Sequence, residues 1–224
     1  MSDQPPHDAE SERYERAHET SRVLALSDGV CAIIITLLVL EIHIPEQLHN
    51  GETLLGEIKD IRPSVVAFLI SFVVVAIAWV GHRDLFTVIR RADRALVWLN
   101  LLYLLPLCLV PFGAALIARY PHDAVALRLY GLMLVLIAAT RVVIWVYATG
   151  NSHLLYEAPD RKFRRAGVAV AIGPAIAYLV AIVIADVAPT GSMLIYGAVP
   201  IAYFVAVTAA RSVAPPGSAE RDLT

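Results

Sequence analysis

Polar side chains that could carry chemistry stand at both ends of one apolar stretch near the N-terminus. Arg22, Ser27 and Asp28 precede the stretch, and Glu41 and His43 follow it. The uncharged run between Asp28 and Glu41 is 12 residues long, whereas a membrane-spanning helix needs about 20. The stretch is therefore either a buried helix of a soluble protein or a spanning helix that carries polar groups into the membrane. In the second case those groups are candidates for function, because ionisable side chains are costly in hydrocarbon.

The composition of the chain favours the membrane. Of the 224 residues, 58% are hydrophobic and 17% are charged, and the mean hydropathy is +0.66. Soluble domains have about 45–50% apolar and about 25% charged residues. The first 20 residues are polar, which argues against a secretory signal peptide. The net charge of −2 favours no class of partner, and no nucleic-acid partner is predicted.

The motifs of the common enzyme classes do not occur in the sequence. It has no Gly-rich phosphate loop, no zinc-type His/Cys spacing and no convincing Ser-His-Asp order. Neither a cofactor nor a tightly bound metal is therefore predicted. Cys31 and Cys108 both lie in apolar runs, so we expect small buried hydrophobic residues rather than a disulfide.

Six apolar segments account for most of the chain and predict an all-α integral membrane protein. Residues 1–20 and 213–224 are expected to be polar tails, and residues 21–212 a six-helix domain. Pro106 and Pro111 predict a kink in the third helix, because a proline inside a helix frees a backbone carbonyl. The predicted transmembrane helices are Arg22–His43, Val65–Gly81, Ala95–Ala118, Val125–Thr149, Ala166–Val187 and Ser192–Ala210.

The distribution of basic residues predicts the orientation in the membrane. With six spans, the two tails and the second and fourth links share one side, which holds 13 of the 18 Lys and Arg residues. Four more lie on the opposite side, and Arg141 lies within the fourth span. Because cytoplasmic loops carry the excess of positive charge, we expect a multi-pass protein of the cell membrane with both termini in the cytoplasm.

The first helix divides into an aliphatic stripe and a face that carries an acid. At 100° per residue, Ile33, Leu37, Leu40 and Ile44 fall on one narrow face with Thr36 and Gly29 at its edge. Asp28 points roughly the other way. The simplest interpretation is that the stripe packs against lipid or another helix. The Thr36 hydroxyl could equally bond to the carbonyl of Ala32.

Asp28 needs a polar partner if the helix is continuous. Ser27 or Asp28 could instead cap a helix beginning at Gly29, but that helix would be too short to span. An unpaired carboxylate in the membrane would cost several kcal/mol. Candidate partners at the same membrane depth are Arg22, His82, Arg83 and Asn100, with Trp79 one turn before His82.

Arg22, Ser27 and Asp28 also carry a resemblance to a known family. The segment RVLALSD, followed by GVCAIIITLLVLEI, resembles the Arg-x-x-x-Phe-Ser-Asp signature of the transmembrane protein 175 family. These are lysosomal and prokaryotic potassium channels that lack a conventional selectivity loop. Leu26 replaces the aromatic residue of the signature. The segment Trp79-Val80-Gly81-His82-Arg83 and Asn100 are similar to the family pattern as well.

The resemblance implies a homotetramer in a lipid bilayer, in which the four first helices line a pore for potassium. It implies that Ile33, Leu37 and Leu40 form a constriction, with Thr36 as a hydroxyl layer. It further implies a polar network that fixes the pore helix, made of Arg22, Ser27, Asp28, Trp79, His82 and Asn100. An aliphatic neck gates by excluding water, so a leak-type conductance with modest selectivity for potassium over sodium is expected.

Two alternatives from other classes stay open on the sequence alone. A proton-coupled secondary transporter would use Asp28, Glu41 and His82 as a relay. A membrane-embedded structural or interaction protein would carry no flux at all. An enzyme is the least favoured class, because the sequence offers no nucleophile and base that can be placed together.

Overall fold

The structure is a computed structural model that describes residues 7–42, 61–157 and 160–212. Its regular elements within those ranges are α-helices and one short 3-10 helix at Ser152–Leu154. The α-helices are α1 (His7–Leu40), α2 (Arg62–Thr87), α3 (Arg94–Cys108), α4 (Val110–Arg119), α5 (Ala124–Gly150), α6 (Arg161–Ile184) and α7 (Pro189–Ser212).

These helices supply the six predicted membrane segments. Five segments are long and apolar enough to cross a membrane: most of α1, all of α2, α3 with α4 as one span, all of α5, and most of α6. The sixth, α7, is apolar over Pro189–Val205. The predicted all-α fold with six membrane helices is thus confirmed.

The first helix extends further towards the N-terminus than its apolar pattern predicts. It begins at His7 instead of Arg22 and ends at Leu40, with a turn at Glu41. The added segment is rich in Glu, Arg and Ala, which favour helices, and extending a helix costs less than starting one. The predicted end at His43, most of the connector after it and the tail 213–224 lie outside the described residues.

The predicted kink in the third span is a break between α3 and α4. The helix ends at Cys108 and resumes at Val110, with Leu109 between them. Pro106 and Pro111 have no backbone N–H, so the carbonyls one turn before them lose their helical partners. The helix is therefore interrupted where the sequence predicts a kink.

Packing divides the described chain into an inner and an outer group. The first helix packs against α2, α3 and α4, whereas α5 and α6 form the most extensive pair, and α7 packs on α6 and α2. Large apolar side chains are exposed on most helices, as expected of a protein whose surrounding solvent is lipid. Among the five long spans, α6 has the smallest share of its residues buried within the chain.

Three chain segments meet at one end of the bundle. The backbone N–H of Arg90 donates to the carbonyl of Leu154 at 2.8 Å, and that of Tyr156 donates to Val88 at 3.2 Å. The Thr20 hydroxyl of α1 accepts from the N–H of Ala92 at 2.7 Å. The second and fourth links and the early part of α1 therefore lie on the same side, as the six-span topology requires.

Aspartate side chains cap two of the helices. Asp93 accepts from the N–H of Leu96 at 2.8 Å, and its other oxygen accepts from the Tyr147 hydroxyl at 2.7 Å. Asp123 accepts from the N–H groups of Val125 and Ala126. Such caps satisfy N–H groups that the first helical turn leaves unpaired. Asp93 also ties α3 to α5.

Candidate functional site

One face of α1 is buried against the rest of the chain. Val23, Ser27, Cys31, Ile34 and Leu38 follow a spacing of three or four residues, and all are buried. This spacing places side chains on one line along a helix. The line packs on α2, α3 and α4, so the inner group of helices fixes the rotation of α1 about its own axis.

The opposite face of α1 carries the predicted constriction residues. Ile33 is 59% exposed, Leu37 43% and Leu40 67%, and Thr36 is also exposed. Within the part of the chain that the structure describes, nothing covers this face. The aliphatic stripe is therefore available either to water in a pore, to a second copy of the chain or to lipid.

The Thr36 hydroxyl bonds within its own helix, one residue away from the predicted position. It donates to the carbonyl of Ile33 at 2.8 Å, and the prediction of Ala32 as acceptor is wrong. A hydroxyl has one proton and two lone pairs. Because the proton is engaged with the helix, the lone pairs remain to accept a proton or to contact a cation on the exposed face.

Ser27 is the hub of a buried polar cluster that joins three helices. Its hydroxyl lies 3.1 Å from Asn100 Nδ2 on α3 and 3.2 Å from His82 Nε2 on α2. It also lies 3.0 Å from the carbonyl of Val23, one turn back on α1. All three side chains are at most 1% exposed. Buried polar groups of this kind are costly unless paired, so the cluster favours one relative arrangement of α1, α2 and α3.

His82 is held by its ring as well as by its hydrogen bond. The ring stacks on Tyr103 with 4.8 Å between centroids and an interplanar angle of 8°, and it lies 4.6 Å from the Phe86 ring. Its Nδ1 atom has no hydrogen-bond partner in the described structure. A proton on Nε2 would be donated to Ser27 and leave Nδ1 as an unpaired acceptor, and this is the tautomer we assign.

Asp28 bonds to α2, on the border between the buried and the uncovered face of α1. Its Oδ1 accepts from Trp79 Nε1 at 2.7 Å, a charge-assisted hydrogen bond of normal length. The guanidinium of Arg83 lies 5.8 Å from the centroid of the Trp79 ring, within cation–π range. Asp28 is exposed in the single chain, and its second oxygen has no hydrogen-bond partner among the described residues.

The structure brings together five of the six predicted network residues. Ser27, His82 and Asn100 form one cluster and Asp28 and Trp79 another, adjacent along α1. Arg22 is the exception: its side chain is exposed and makes no hydrogen bond or ion pair to any described residue of the same chain.

Two contacts of the site were not predicted from the sequence. The Tyr103 hydroxyl donates to the carbonyl of Ala78 at 2.9 Å while its ring covers His82. Tyr103 follows Asn100 by three residues, a spacing that places both on one helix face and could have revealed it. Arg141 donates to the Tyr203 hydroxyl at 2.6 Å, a contact between α5 and α7 that no local pattern indicates.

Metal binding finds no support in the described residues. No group of three or more His, Cys, Asp or Glu side chains among them is placed to hold a metal ion. The Ser27, Asn100 and Trp79 side chains near α1 are engaged in hydrogen bonds, whereas His82 Nδ1 has no partner in the described structure. What the arrangement supplies is mechanical: a helix fixed on one face and open on the other.

Comparison with known proteins defines the class. Residues 22–111, which contain α2, α3 and the membrane part of α1, match the family profile described as the endosomal/lysosomal potassium channel TMEM175. The class is therefore that of potassium channels. A protein named potassium channel B446_29190, from Streptomyces collinus, is 38% identical over 153 residues, which cover 66% of this chain and 74% of that relative. The chain belongs to the TMEM175 family.

A solved structure and a vertebrate relative extend the comparison. The crystal structure of a lysosomal potassium-selective channel TMEM175 homolog from Chamaesiphon minutus matches with a TM-score of 0.75 and 33% identity. The match covers 84% of this chain and 98% of that one. The Gallus gallus protein named endosomal/lysosomal proton channel TMEM175 is 29% identical over 168 residues, 72% of this chain and 33% of that entire protein. The relatives' names thus differ in the permeant ion.

Proposed function

We propose that this chain is the subunit of a potassium-selective, leak-type channel whose pore is lined by α1. Ile33, Leu37 and Leu40 form the constriction, and Thr36 supplies a hydroxyl layer. The observation that carries the proposal is the division of α1. Its buried face is fixed by packing and by the Ser27 cluster, while its aliphatic face is uncovered in the single chain.

The mechanism follows from the apolar character of the stripe. Ile33 and Leu40 are seven residues apart, so the stripe extends about 10 Å along the helix. A narrow neck of this length lined by aliphatic side chains expels water, and an ion crosses it only by giving up part of its hydration. Potassium holds its water less strongly than sodium, so it crosses more readily. The Thr36 lone pairs replace part of the lost hydration.

A homotetramer suits the dimensions of such a neck. Neighbouring helix axes lie about 9 Å apart and a helix with side chains is about 10 Å wide. A ring of three such helices leaves essentially no central opening, a ring of four leaves one about 3 Å wide, and a ring of five leaves about 5 Å. Only the ring of four approaches the size of a bare potassium ion while excluding a hydrated one.

Arg22 and Asp28 are proposed to complete the network between subunits. Arg22 is exposed and finds no partner within the described chain, and the second oxygen of Asp28 is open on the same helix. In a ring of α1 helices, the guanidinium of one subunit can reach the carboxylate of the next. The network would then fix the pore helix to its neighbour as well as to α2 and α3.

The proposed location is the cell membrane with both termini in the cytoplasm. The second and fourth links and the early part of α1 meet on one side of the bundle. That side holds 13 of the 18 basic residues. A basic excess of this size favours the cytoplasmic face.

The transporter alternative loses its geometric basis. Asp28 and Glu41 are thirteen residues apart on one helix, or about 20 Å along its axis. His82 is bonded to Ser27 rather than to either carboxylate. Proton permeation deserves a test for a different reason, since the vertebrate relative is named a proton channel.

The test is flux through the purified protein in liposomes. Potassium, sodium and proton fluxes are measured in parallel, with the pore variant Ile33→Asn beside the wild type. The wild type should pass potassium faster than sodium, at a rate linear in driving force. The variant should pass potassium and sodium at equal rates. A saturating, slow flux would identify a carrier instead, and a proton flux that exceeds the potassium flux would reassign the permeant ion.

A further inference from the structure

A cleft opens between the end of α5 and the start of α6, well away from α1. Its volume is about 570 Å³, comparable with ligand pockets of globular proteins. Three arginines line it. Its lining includes Arg161, Arg164 and Arg165 at one end, and Val168, Ala169 and Ile172 along its wall.

The three arginines are exposed and uncompensated. Within residues 7–42, 61–157 and 160–212, no carboxylate pairs with the side chains of Arg161, Arg164 or Arg165. Trp145 of α5 donates from Nε1 to the backbone carbonyl of Arg164 at 3.1 Å, so the basic turn is tied to the neighbouring helix. Three exposed guanidinium groups at one end of a cleft, without a carboxylate partner among the described residues, favour a phosphate group as ligand.

The cleft changes from basic to apolar along α6. Arg165 and Ile172 are seven residues apart, about 10 Å along the helix. The arginines lie at the helix end, and the aliphatic residues lie deeper in the span. Since α6 is also the long span least covered by the rest of the chain, the wall is open in the single chain. A molecule with an anionic head and a long apolar tail matches both parts.

We infer that this cleft binds an anionic phospholipid, with the phosphate on the three arginines and an acyl chain along Val168, Ala169 and Ile172. The arginine end lies on the basic side of the bundle, which is the side whose leaflet is rich in anionic lipids if it faces the cytoplasm. Inorganic phosphate shares the head chemistry but has no tail, so it would use the arginines alone.

Native mass spectrometry of the detergent-solubilised full chain tests the inference, with phosphatidylglycerol and phosphatidylcholine of identical acyl chains as probes. Phosphatidylglycerol should bind more tightly. Each arginine near a charged membrane surface contributes about fivefold, so R161Q/R164Q/R165Q should weaken phosphatidylglycerol binding about 100-fold. The matched control R90Q/R91Q/R94Q removes three arginines from the same side but none from the cleft, and should bind as the wild type does.

A second variant separates lipid from free phosphate. Ala169→Trp fills the apolar wall and keeps the arginines, so it should weaken phosphatidylglycerol binding. Inorganic phosphate should compete with the remaining phosphatidylglycerol binding as it does in the wild type. Equal binding of the two lipids, equal loss in both triple variants, or full phosphatidylglycerol binding by Ala169→Trp would each overturn the inference. The single variant Arg165→Gln, expected to lose about fivefold, replaces the triple variant if that one does not fold.

Discussion

The two faces of α1 differ in what holds them and in what they expose. The buried face combines apolar packing with a hydrogen-bonded cluster centred on Ser27. The opposite face carries Ile33, Leu37 and Leu40 without any contact that would cover them in the described chain. Polar groups thus anchor the helix, and apolar groups line the candidate ion pathway. This arrangement is the reverse of that in a soluble protein, where apolar groups form the core and polar groups face water.

This reversal has a physical reason. In a membrane, apolar contacts are no stronger between helices than with lipid, so hydrogen bonds and close packing must specify where a helix sits. A pore that holds a continuous column of water would conduct any small ion. An apolar neck prevents this only if its side chains keep their positions, and in the proposed pore the anchor on the back of α1 would keep them there.

The largest expected effect is on the uncovered face. Leu40→Ala should widen the neck and raise sodium flux about tenfold, the change produced by lowering a barrier by about 1.4 kcal/mol. Leu194→Ala on α7 is the matched control, because both leucines are 67% exposed in the single chain. Sodium flux into liposomes provides the measurement. An identical response of the two variants would remove Leu40 from the pathway.

Breaking the anchor should have an intermediate effect. Ser27→Ala leaves Asn100 and His82 without their shared partner and should destabilise the protein by about 1–3 kcal/mol. It should also reduce the preference for potassium, because the rotation of α1 is then fixed by apolar packing alone. Ser192→Ala is the control: Ser192 is equally buried but bonds only to backbone carbonyls of α6 and the turn before α7.

Thermal unfolding in detergent and the potassium-to-sodium flux ratio report on the two serine variants separately. Both should unfold at lower temperature, and only Ser27→Ala should change the flux ratio. A changed ratio in Ser192→Ala, or an unchanged one in Ser27→Ala, would mean that the cluster stabilises the fold without positioning the pore helix.

A smaller effect is expected at the border between the faces. Trp79→Phe removes the N–H that bonds to Asp28 and should lower the free energy of unfolding by about 1 kcal/mol, because the carboxylate is exposed to solvent in the single chain.

Arg22→Ala should weaken the assembly of subunits instead, leaving the unfolding of the single chain unchanged. Size-exclusion chromatography with light scattering measures the oligomer. If dilution dissociates Arg22→Ala no more readily than the wild type, the inter-subunit pair is absent.

The smallest effect is expected far from α1. Arg128 of α5 pairs with Asp186, just after α6, and both side chains are substantially exposed. An exposed ion pair contributes at most about 1 kcal/mol, so Arg128→Ala should lower stability slightly and leave ion flux intact. Differential scanning fluorimetry beside the liposome assay checks this. A flux defect in Arg128→Ala would show that the outer helices take part in conduction.

Local patterns predicted the elements well where apolar periodicity or proline marks them. The six membrane segments, the break around Pro106 and Pro111 and the family itself could be predicted from the sequence, and all are confirmed. The extension of α1 back to His7 was not predicted, because a charged helix without an apolar face leaves no hydrophobic period to recognise.

The pairings within the site were only partly predictable. Membrane depth narrowed the partners of Asp28 to a short set, but which of them bonds to it depends on the rotation of two helices, and the structure selects Trp79. Thr36 bonding to Ile33 instead of Ala32 depends on a side-chain rotamer. The roles of Ile33, Thr36, Leu37 and Leu40 in conduction stay a prediction.

The most direct measurement tests whether the uncovered face of α1 is exposed to water in a pore. Silver is a thiol-reactive monovalent cation that follows the potassium pathway, and Cys31 on the buried face is an internal control. In a Cys108→Ser background, silver should block potassium current in Leu37→Cys, and leave both the background and Leu194→Cys conducting. Block of Leu194→Cys as readily as Leu37→Cys, or no block of Leu37→Cys, would contradict a pore lined by this stripe.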